Sequence, residues 1–199
     1  MTRPDPRARR CDSGPFTHES CLSYPPPHLT SAQRLNDKGQ PVLYLATSRE
    51  TALAEIEAQT GELIHVGAFR AKPGVTLQVA SVGAWHEVFK LGTMRLGTVD
   101  LASELTKIMN KVELDVARSI IYLDAILGDL LARPDANTAE YLTTRLLVKA
   151  LYMKYPHIEG IVYPSVKDLG VNLAIRAEAA DRAIEGCGSM VLEVQKKRR

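Results

Sequence analysis

The chain has 199 residues, of which 45% are apolar and 24% are charged, so it can form one well-buried domain and is neither disordered nor fibrous. Its formal charge of +2 hides an uneven distribution, because the first ten residues carry +3 and the last four carry +4. The body between them has 17 basic and 22 acidic residues. Two basic ends on an acidic body argue against direct binding of nucleic acid through overall charge.

The cysteines, histidines and hydropathy exclude further classes. The three cysteines include no CxxC pair, and no two of the five histidines stand three or four residues apart. Neither a disulfide framework nor a metal site is therefore expected. No apolar run reaches the roughly 18–20 residues of a membrane span, and no apolar segment of a secretory signal follows the basic N-terminus. We expect a cytoplasmic protein without membrane association.

The first half of the chain begins with an arm and continues into a globular pattern. Residues 1–30 hold six of the eleven prolines, which predicts an extended basic arm before a single domain over 31–195 and a basic tail over 196–199. The apolar run Pro41–Ala46 predicts a buried strand. Thr47 and Glu50 form a capping box that predicts a helix from Ser48 to about Gln59. Two strands are expected next, near 62–69 and 75–80.

The second half alternates between helical and strand patterns in blocks. Asp100 is a helix cap, and it precedes a helical stripe made of Leu101, Leu105, Ile108, Val112 and Val116. Whether residues 120–131 continue that helix or form a second one stays open. Asn137 and Glu140 form another capping box, which opens a helix that ends at Tyr155-Pro156. Strands near 161–163, 171–175 and 189–194 complete an α+β pattern.

Three familiar catalytic motifs are missing. No GxGxxG follows a strand, so a Rossmann site has no support. The loop from Gly92 to Thr98 has the glycine spacing of a phosphate-binding loop but lacks its lysine, which favours a glycine-hinged surface loop. Ser165 lacks the flanking glycines of a nucleophile elbow.

Two groups of motifs remain, one early and one late in the chain. The first is Gln33-Arg34-Leu35-Asn36, then Gly39, the strand Pro41–Ala46 and the run Glu50–Glu55. The second is Gly160–Val166 followed by Gly170–Ala174. In this order, over residues 34–173, they resemble the RES domain family, which is named for an Arg, a Glu and a Ser. Its members are similar to NAD-consuming toxins of bacterial toxin–antitoxin pairs.

The resemblance implies a fold similar to the ADP-ribosyltransferases, in which two small β-sheets form an NAD cleft with flanking helices. It assigns the catalytic side chains to Arg34, Tyr44, Glu55 and Ser165. The residues that would bind substrate are Arg34, Tyr44 and Ser165 of this set, together with Asn36, Asn172 and the arm residue Arg9. Leu35 stands where the family usually has an aromatic residue. NAD would be substrate and not cofactor, a helix-turn-helix (Xre-like) antitoxin is the expected partner, and homo-oligomerisation stays open.

The residue types suit cleavage of the nicotinamide–ribose bond, which passes through an oxocarbenium-like state. A carboxylate near that positive charge stabilises it more than it stabilises the ground state, and it can also orient an attacking water. An arginine fork suits the anionic pyrophosphate. A tyrosine face can stack on nicotinamide, and a serine hydroxyl can donate to phosphate, ribose or amide groups.

Each candidate also has a purely structural interpretation. Arg34 and Arg9 could be solvated cations, and Glu55 an exposed helix carboxylate. Tyr44 could be a core residue, Ser165 a turn residue, and Asn172 a hydrogen-bonding residue at a strand edge.

Three functions follow from these readings. The first is an NAD glycohydrolase or phosphorylase that acts as a growth-inhibiting toxin. The second is transfer of ADP-ribose to a protein side chain. The third is a non-enzymatic interaction module that uses the basic ends.

Overall fold

A four-stranded sheet lies at the centre of the fold. The computed structural model describes residues 22–96, 99–132 and 142–195. The strands are β1 (Val42–Ala46), β2 (Leu63–Ala71), β3 (Val79–Ser81), β4 (Arg95–Leu96), β5 (Val99–Asp100), β6 (Gly160–Pro164), β7 (Val171–Arg176) and β8 (Ile184–Glu193). The helices are α1 (Arg49–Glu55), α2 (Ala84–Leu91), α3 (Leu101–Met109), α4 (Leu114–Ala132), α5 (Leu142–Lys154) and α6 (Ala177–Ala183). This mixture of small sheets and helices agrees with the predicted α+β class.

The main sheet has the strand order β1-β7-β6-β3. Strands β1, β7 and β6 are antiparallel neighbours, whereas β3 runs parallel to β6. The register aligns Ala46, Asn172 and Tyr163 in one row across three strands. A two-stranded ribbon of β2 and β8 and a short hairpin of β4 and β5 complete the strand pairing of the described residues.

Both faces of the main sheet are buried, which explains the continuous apolar run of β1. On one face, Leu43 and Leu45 join a core cluster that includes Phe69 of β2 and Ile184 of β8. This cluster therefore packs the ribbon against the main sheet. On the other face, Tyr44 belongs to a second cluster with side chains of α4 and α5, such as Leu131 and Val148. Leu43 and Leu45 share one face and Tyr44 lies on the other because successive side chains of a strand point to opposite faces.

The start of α1 differs from the prediction in its capping residue. Ser48, and not Thr47, is the N-cap, and its side chain accepts a hydrogen bond from the Thr51 amide. The Thr47 hydroxyl instead accepts a hydrogen bond from the Val171 amide of β7. The helix ends at Glu55, one turn before the predicted end near Gln59, and the chain then passes through Glu57 with a positive φ of 50°.

The helical stripe after Asp100 spans two helices and not one. Asp100 caps α3 as predicted, by accepting a hydrogen bond from the Ser103 amide, but α3 ends at Met109 and α4 begins at Leu114. The residues 120–131 therefore belong to the second helix. Helix α5 ends at Lys154, directly before Tyr155-Pro156, as the sequence indicates.

The sequence analysis does not predict helices α2 and α6. In both helices the N-cap residue makes no capping hydrogen bond with its side chain. The predicted strand over 75–80 is shorter, at Val79–Ser81. The capping box of Asn137 and Glu140, most of the arm and the tail lie outside the described residues. Leu22, assigned by the sequence to the arm, is a core residue at 2% exposure, so packed structure extends upstream of the predicted boundary at residue 31. No helix in the described ranges is long and apolar enough to cross a membrane.

Asp124 of α4 caps α2 from 41 residues away in sequence. Its carboxylate accepts hydrogen bonds from the amides of Gly83, at 2.8 Å, and His86, at 3.1 Å. Burial raises the pKa of this carboxyl, and the amide hydrogen bonds oppose that shift. The contact is close because Gly128 and Gly83 face each other, and a Cβ on Gly128 would lie 2.9 Å from the Gly83 Cα.

We expect Asp124→Ala to lower the free energy of unfolding by about 2 kcal/mol, because two amides at the start of α2 lose a buried, charged acceptor. The matched comparison is Asp100→Ala, which removes an exposed cap with one hydrogen bond and should cost about 1 kcal/mol. Urea denaturation of both variants measures the difference. Equal losses would contradict the bridging role of Asp124.

Candidate active site

The carboxylate of Glu55 is held by two side chains from the other end of the chain. Its Oε1 atom accepts hydrogen bonds from the Ser165 hydroxyl at 2.7 Å and from the Asn172 amide nitrogen at 2.6 Å. Within the described part of the chain, the Oε2 atom receives no hydrogen bond. One oxygen is thus fixed by the protein, while the other remains available as an acceptor.

The segment between β6 and β7 is attached at three points to α1 and to the residues directly after it. Besides the bond from Ser165 to Glu55, Lys167 forms an ion pair with Glu57, and the buried Thr51 hydroxyl donates to Asp168 at 2.8 Å. The Ser165 hydroxyl also accepts from the amides of Lys167 and Asp168, so it closes the turn as well. The structural and functional interpretations of Ser165 therefore describe the same geometry.

Close approach of two backbones makes this attachment possible. Gly170 lies against α1, and a Cβ at that position would come within 2.0 Å of the Thr51 hydroxyl oxygen. Only glycine therefore allows the β6–β7 segment to approach so closely. Ser48, Thr51 and Glu55 share one side of α1 at spacings of three and four residues, which is the polar side that receives this segment.

Arg34 lies in a tight turn whose ends, Gln33 and Asn36, form an isolated β-bridge. Leu35 in the same turn, at the position where an aromatic residue is usual in the family, is buried in the second core cluster. The Tyr44 hydroxyl accepts a hydrogen bond from the Leu35 amide and donates one to the Asn36 side-chain oxygen at 2.8 Å. Strand β1 therefore holds the turn that carries Arg34.

Tyr163 was not among the site residues predicted from the sequence, but it is influenced by two of them. Burial raises its pKa above the usual range, the nearby negative charge of Glu55 raises it further, and the positive charge of Arg34 opposes the shift. Burial likewise raises the pKa of Tyr44, with a smaller opposing effect of Arg34. Tyr163 therefore lies within electrostatic reach of both Arg34 and Glu55. The sequence signal that could have identified Tyr163 is its position two residues before Ser165.

Six of the seven predicted site residues lie in two groups beside the main sheet. Tyr44 and Asn36 are joined by a hydrogen bond in the turn that carries Arg34, and Ser165 and Asn172 both donate to Glu55. The charges of Arg34 and Glu55 both affect the pKa of Tyr163. Arg9, the seventh, lies outside the described residues. The roles of these residues toward NAD stay predictions.

Two clefts meet at Ser165, and their volumes are about 530 and 350 Å³. The larger is lined by the hydroxyl residues Thr47, Ser48 and Thr51 and by Asp168 and Arg95. The smaller contains Tyr163, His86 and the small residues Gly83 and Gly128. Clefts of this size accommodate small-molecule ligands. In the described ranges no three His, Cys, Asp or Glu side chains converge as a metal site would require.

A family model matches nearly the whole chain. The RES domain model matches residues 6–189 of the chain. The chain belongs to the RES domain family. No curated protein and no solved structure matches it significantly. RES domains are associated with NAD-processing toxins of toxin–antitoxin systems.

The attachment of the β6–β7 segment of this RES domain can be tested at Thr51. We expect Thr51→Val to lower the free energy of unfolding by about 1–2 kcal/mol, because Asp168 loses a donor at a buried position. Thr106→Val in α3 is the control, since the hydroxyl of this exposed residue bonds only to its own helix and its loss should change stability by less than about 0.5 kcal/mol. Thermal unfolding of both variants gives the comparison. If Thr51→Val is as mild as its control, the contact does not hold the segment.

Proposed function

We propose that this RES domain protein cleaves the bond between nicotinamide and ribose in NAD, with water or phosphate as acceptor. The observation that carries the proposal is the Glu55 carboxylate, whose Oε1 atom is fixed by Ser165 and Asn172. Its Oε2 atom is left without a donor in the described structure, so it can accept a hydrogen bond from a ribose hydroxyl or face the ribosyl cation.

A carboxylate fixed in this way favours the transition state over the substrate. As the nicotinamide leaves, positive charge develops on the ribose ring, and a negative group already in position needs no reorganisation at that moment. Ser165 and Asn172 restrict the rotation of Glu55, which keeps Oε2 in one direction. The same oxygen can orient the water or phosphate that attacks the ribose.

Arg34 supplies the positive charge that the anionic pyrophosphate requires. The guanidinium acts locally, because the body of the chain between its basic ends is acidic. The burial of Tyr44, at 7% exposure, and its two hydroxyl hydrogen bonds give it a different role from stacking on nicotinamide. We assign Tyr44 as a positioning residue that holds the turn of Arg34, and Asn36 as the link between them.

The cleft arrangement of ADP-ribosyltransferases is part of the proposal. The main sheet and the β2–β8 ribbon would be its two small sheets. They share a core cluster on one face of the main sheet, and NAD would bind beside the opposite face, where Asn172 and Tyr163 lie. Support comes from Ser165, the hydrogen-bond donor to Glu55, which lines two clefts large enough for the two halves of a dinucleotide. In this proposal NAD is the substrate and the chain's own residues perform the chemistry.

Nicotinamide release from NAD by the purified protein tests the reaction. We expect Glu55→Gln to lower kcat by about 100-fold or more, because it removes the charge that stabilises the ribosyl cation while keeping the side-chain shape. Glu50→Gln, an exposed position on the same helix, should keep near-normal turnover. Absence of turnover by the wild-type protein would contradict the proposal and favour the binding-module alternative.

The acceptor is identified by the products of the same reaction. Free ADP-ribose indicates water as acceptor, and a phosphorylated ADP-ribose formed only in phosphate buffer indicates a phosphorylase. Transfer of labelled ADP-ribose to a lysate protein would support the alternative, in which the cleft modifies a protein target.

Depletion of NAD should stop growth, as the association of RES domains with toxins suggests. We expect expression of the wild-type protein in bacteria to arrest growth and lower cellular NAD, and Arg34→Ala and Glu55→Gln to relieve both effects. The control is Glu50→Gln, expressed to the same soluble level, which should remain toxic. Normal growth with abundant soluble wild-type protein would argue against a toxin. We propose a helix-turn-helix antitoxin, encoded separately, as the partner that restrains this activity.

A further inference from the structure

Helix α4 has an apolar face that no other described element covers. Its inner side is buried against α2 and the second core cluster through Asp124, Leu127 and Leu131. Its outer side exposes four large apolar residues, led by Tyr122 at 72% exposure and followed by Leu123, Ile126 and Val116. Apolar residues concentrated on one outer side of a 19-residue helix indicate an interface.

Two opposite charges lie along one edge of this outer face. Arg118 and Asp129 are separated by about three helical turns, so they project in nearly the same direction, next to Tyr122. Among the described residues, Arg118 forms an ion pair only with Asp115 of its own helix, at 3.3 Å, and its side chain is 62% exposed. Asp129 is exposed. The midpoint between the two charges falls at Leu123 and Asp124.

We propose that α4 pairs with α4 of a second copy of this chain, antiparallel, about a two-fold axis beside Leu123. In that arrangement the charged edge of one helix faces the same edge of the other, in reverse order. Arg118 of each copy then meets Asp129 of its partner, and the exposed apolar residues pack between the helices.

The order of the two charges along α4 favours an antiparallel pair of helices over a parallel pair. A parallel pairing would place Arg118 beside Arg118 and Asp129 beside Asp129, and like charges at close range oppose association. An antiparallel pair instead forms two equivalent ion pairs from one chain's own residues. The inference does not rest on the proposed reaction, because its test measures association and α4 supplies none of the side chains that hold Glu55; Asp129 also lines the smaller of the two clefts at Ser165.

Charge exchange across the axis tests both the occupant and the orientation. We expect the wild-type protein to be dimeric by sedimentation equilibrium at micromolar concentration. Arg118→Asp and Asp129→Arg should each weaken the dimer by about tenfold, since the two-fold axis counts each substitution twice. The double variant Arg118→Asp/Asp129→Arg should restore it. A wild-type monomer at every concentration, or a double variant that is no tighter than the single ones, would overturn the proposal.

Substitution at Leu123 locates the axis. Leu123→Glu places two carboxylates against each other at the axis and should abolish the dimer, while its exposed position keeps the fold intact, as circular dichroism would verify. Under mild oxidation, Leu123→Cys should form a disulfide between two copies, identified by mass spectrometry. Val116→Cys is the matched control, because its two copies would lie about 22 Å apart along the helices. Linkage at 116 but not at 123, or a dimer that survives Leu123→Glu, would rule out this placement.

Discussion

The antiparallel pairing of β1, β7 and β6 is the constraint on which the candidate site depends. Its register sets Asn172 and Tyr163 beside each other and aligns both with the end of β1, from which α1 begins. Glu55 at the end of α1 can therefore reach Asn172 and the first residue after β6 at once. A shift of one residue in this pairing would turn Asn172 to the opposite face, and Glu55 would lose one of its two donors.

Burial of polar groups has a cost that this arrangement leaves partly uncompensated. Asn172 is 1% exposed and donates to Glu55, yet its side-chain oxygen is buried without a hydrogen-bond partner in the described structure. A buried acceptor without a donor costs about 1–3 kcal/mol. An apolar residue at this row of the sheet would avoid that cost but would leave Glu55 free to rotate. Asn172 is therefore better explained by its role in holding Glu55 than by stability. Unsatisfied buried polar groups are expected at functional sites.

The parts of the fold that sequence reasoning identified are those whose signals are local. The apolar run of β1, the Asp100 cap and the break before Pro156 depend on neighbouring residues, and all three agree with the structure. Helix α2 was missed because its N-terminal amides are satisfied by Asp124, which lies in a helix 41 residues later. The Thr47 cap failed for a related reason, since the Thr47 hydroxyl is used by β7 and Ser48 takes the cap. The break between α3 and α4 interrupts an apolar stripe that periodicity alone would continue.

The candidate site follows the same division. The motifs around Arg34, Glu55 and Ser165 could be read from the sequence because their order along the chain is characteristic of a family. The contacts between them could not be read, because they join residues more than 100 positions apart. Tyr163 and Thr51 acquire their importance only through such contacts.

The charge of the chain makes the local arrangement decisive. For the proposed substrate, anionic NAD, long-range steering toward an acidic body is unfavourable, and such fields fall off within about 8–10 Å at physiological ionic strength. Short-range contacts therefore have to supply the affinity. Arg34 can do so only if its turn is held in place, and Tyr44 and Leu35 anchor that turn to β1 and the core. In the proposed reaction, the sheet whose Asn172 holds the carboxylate for the ribose thus also holds, through Tyr44, the turn that carries the cation for the phosphates.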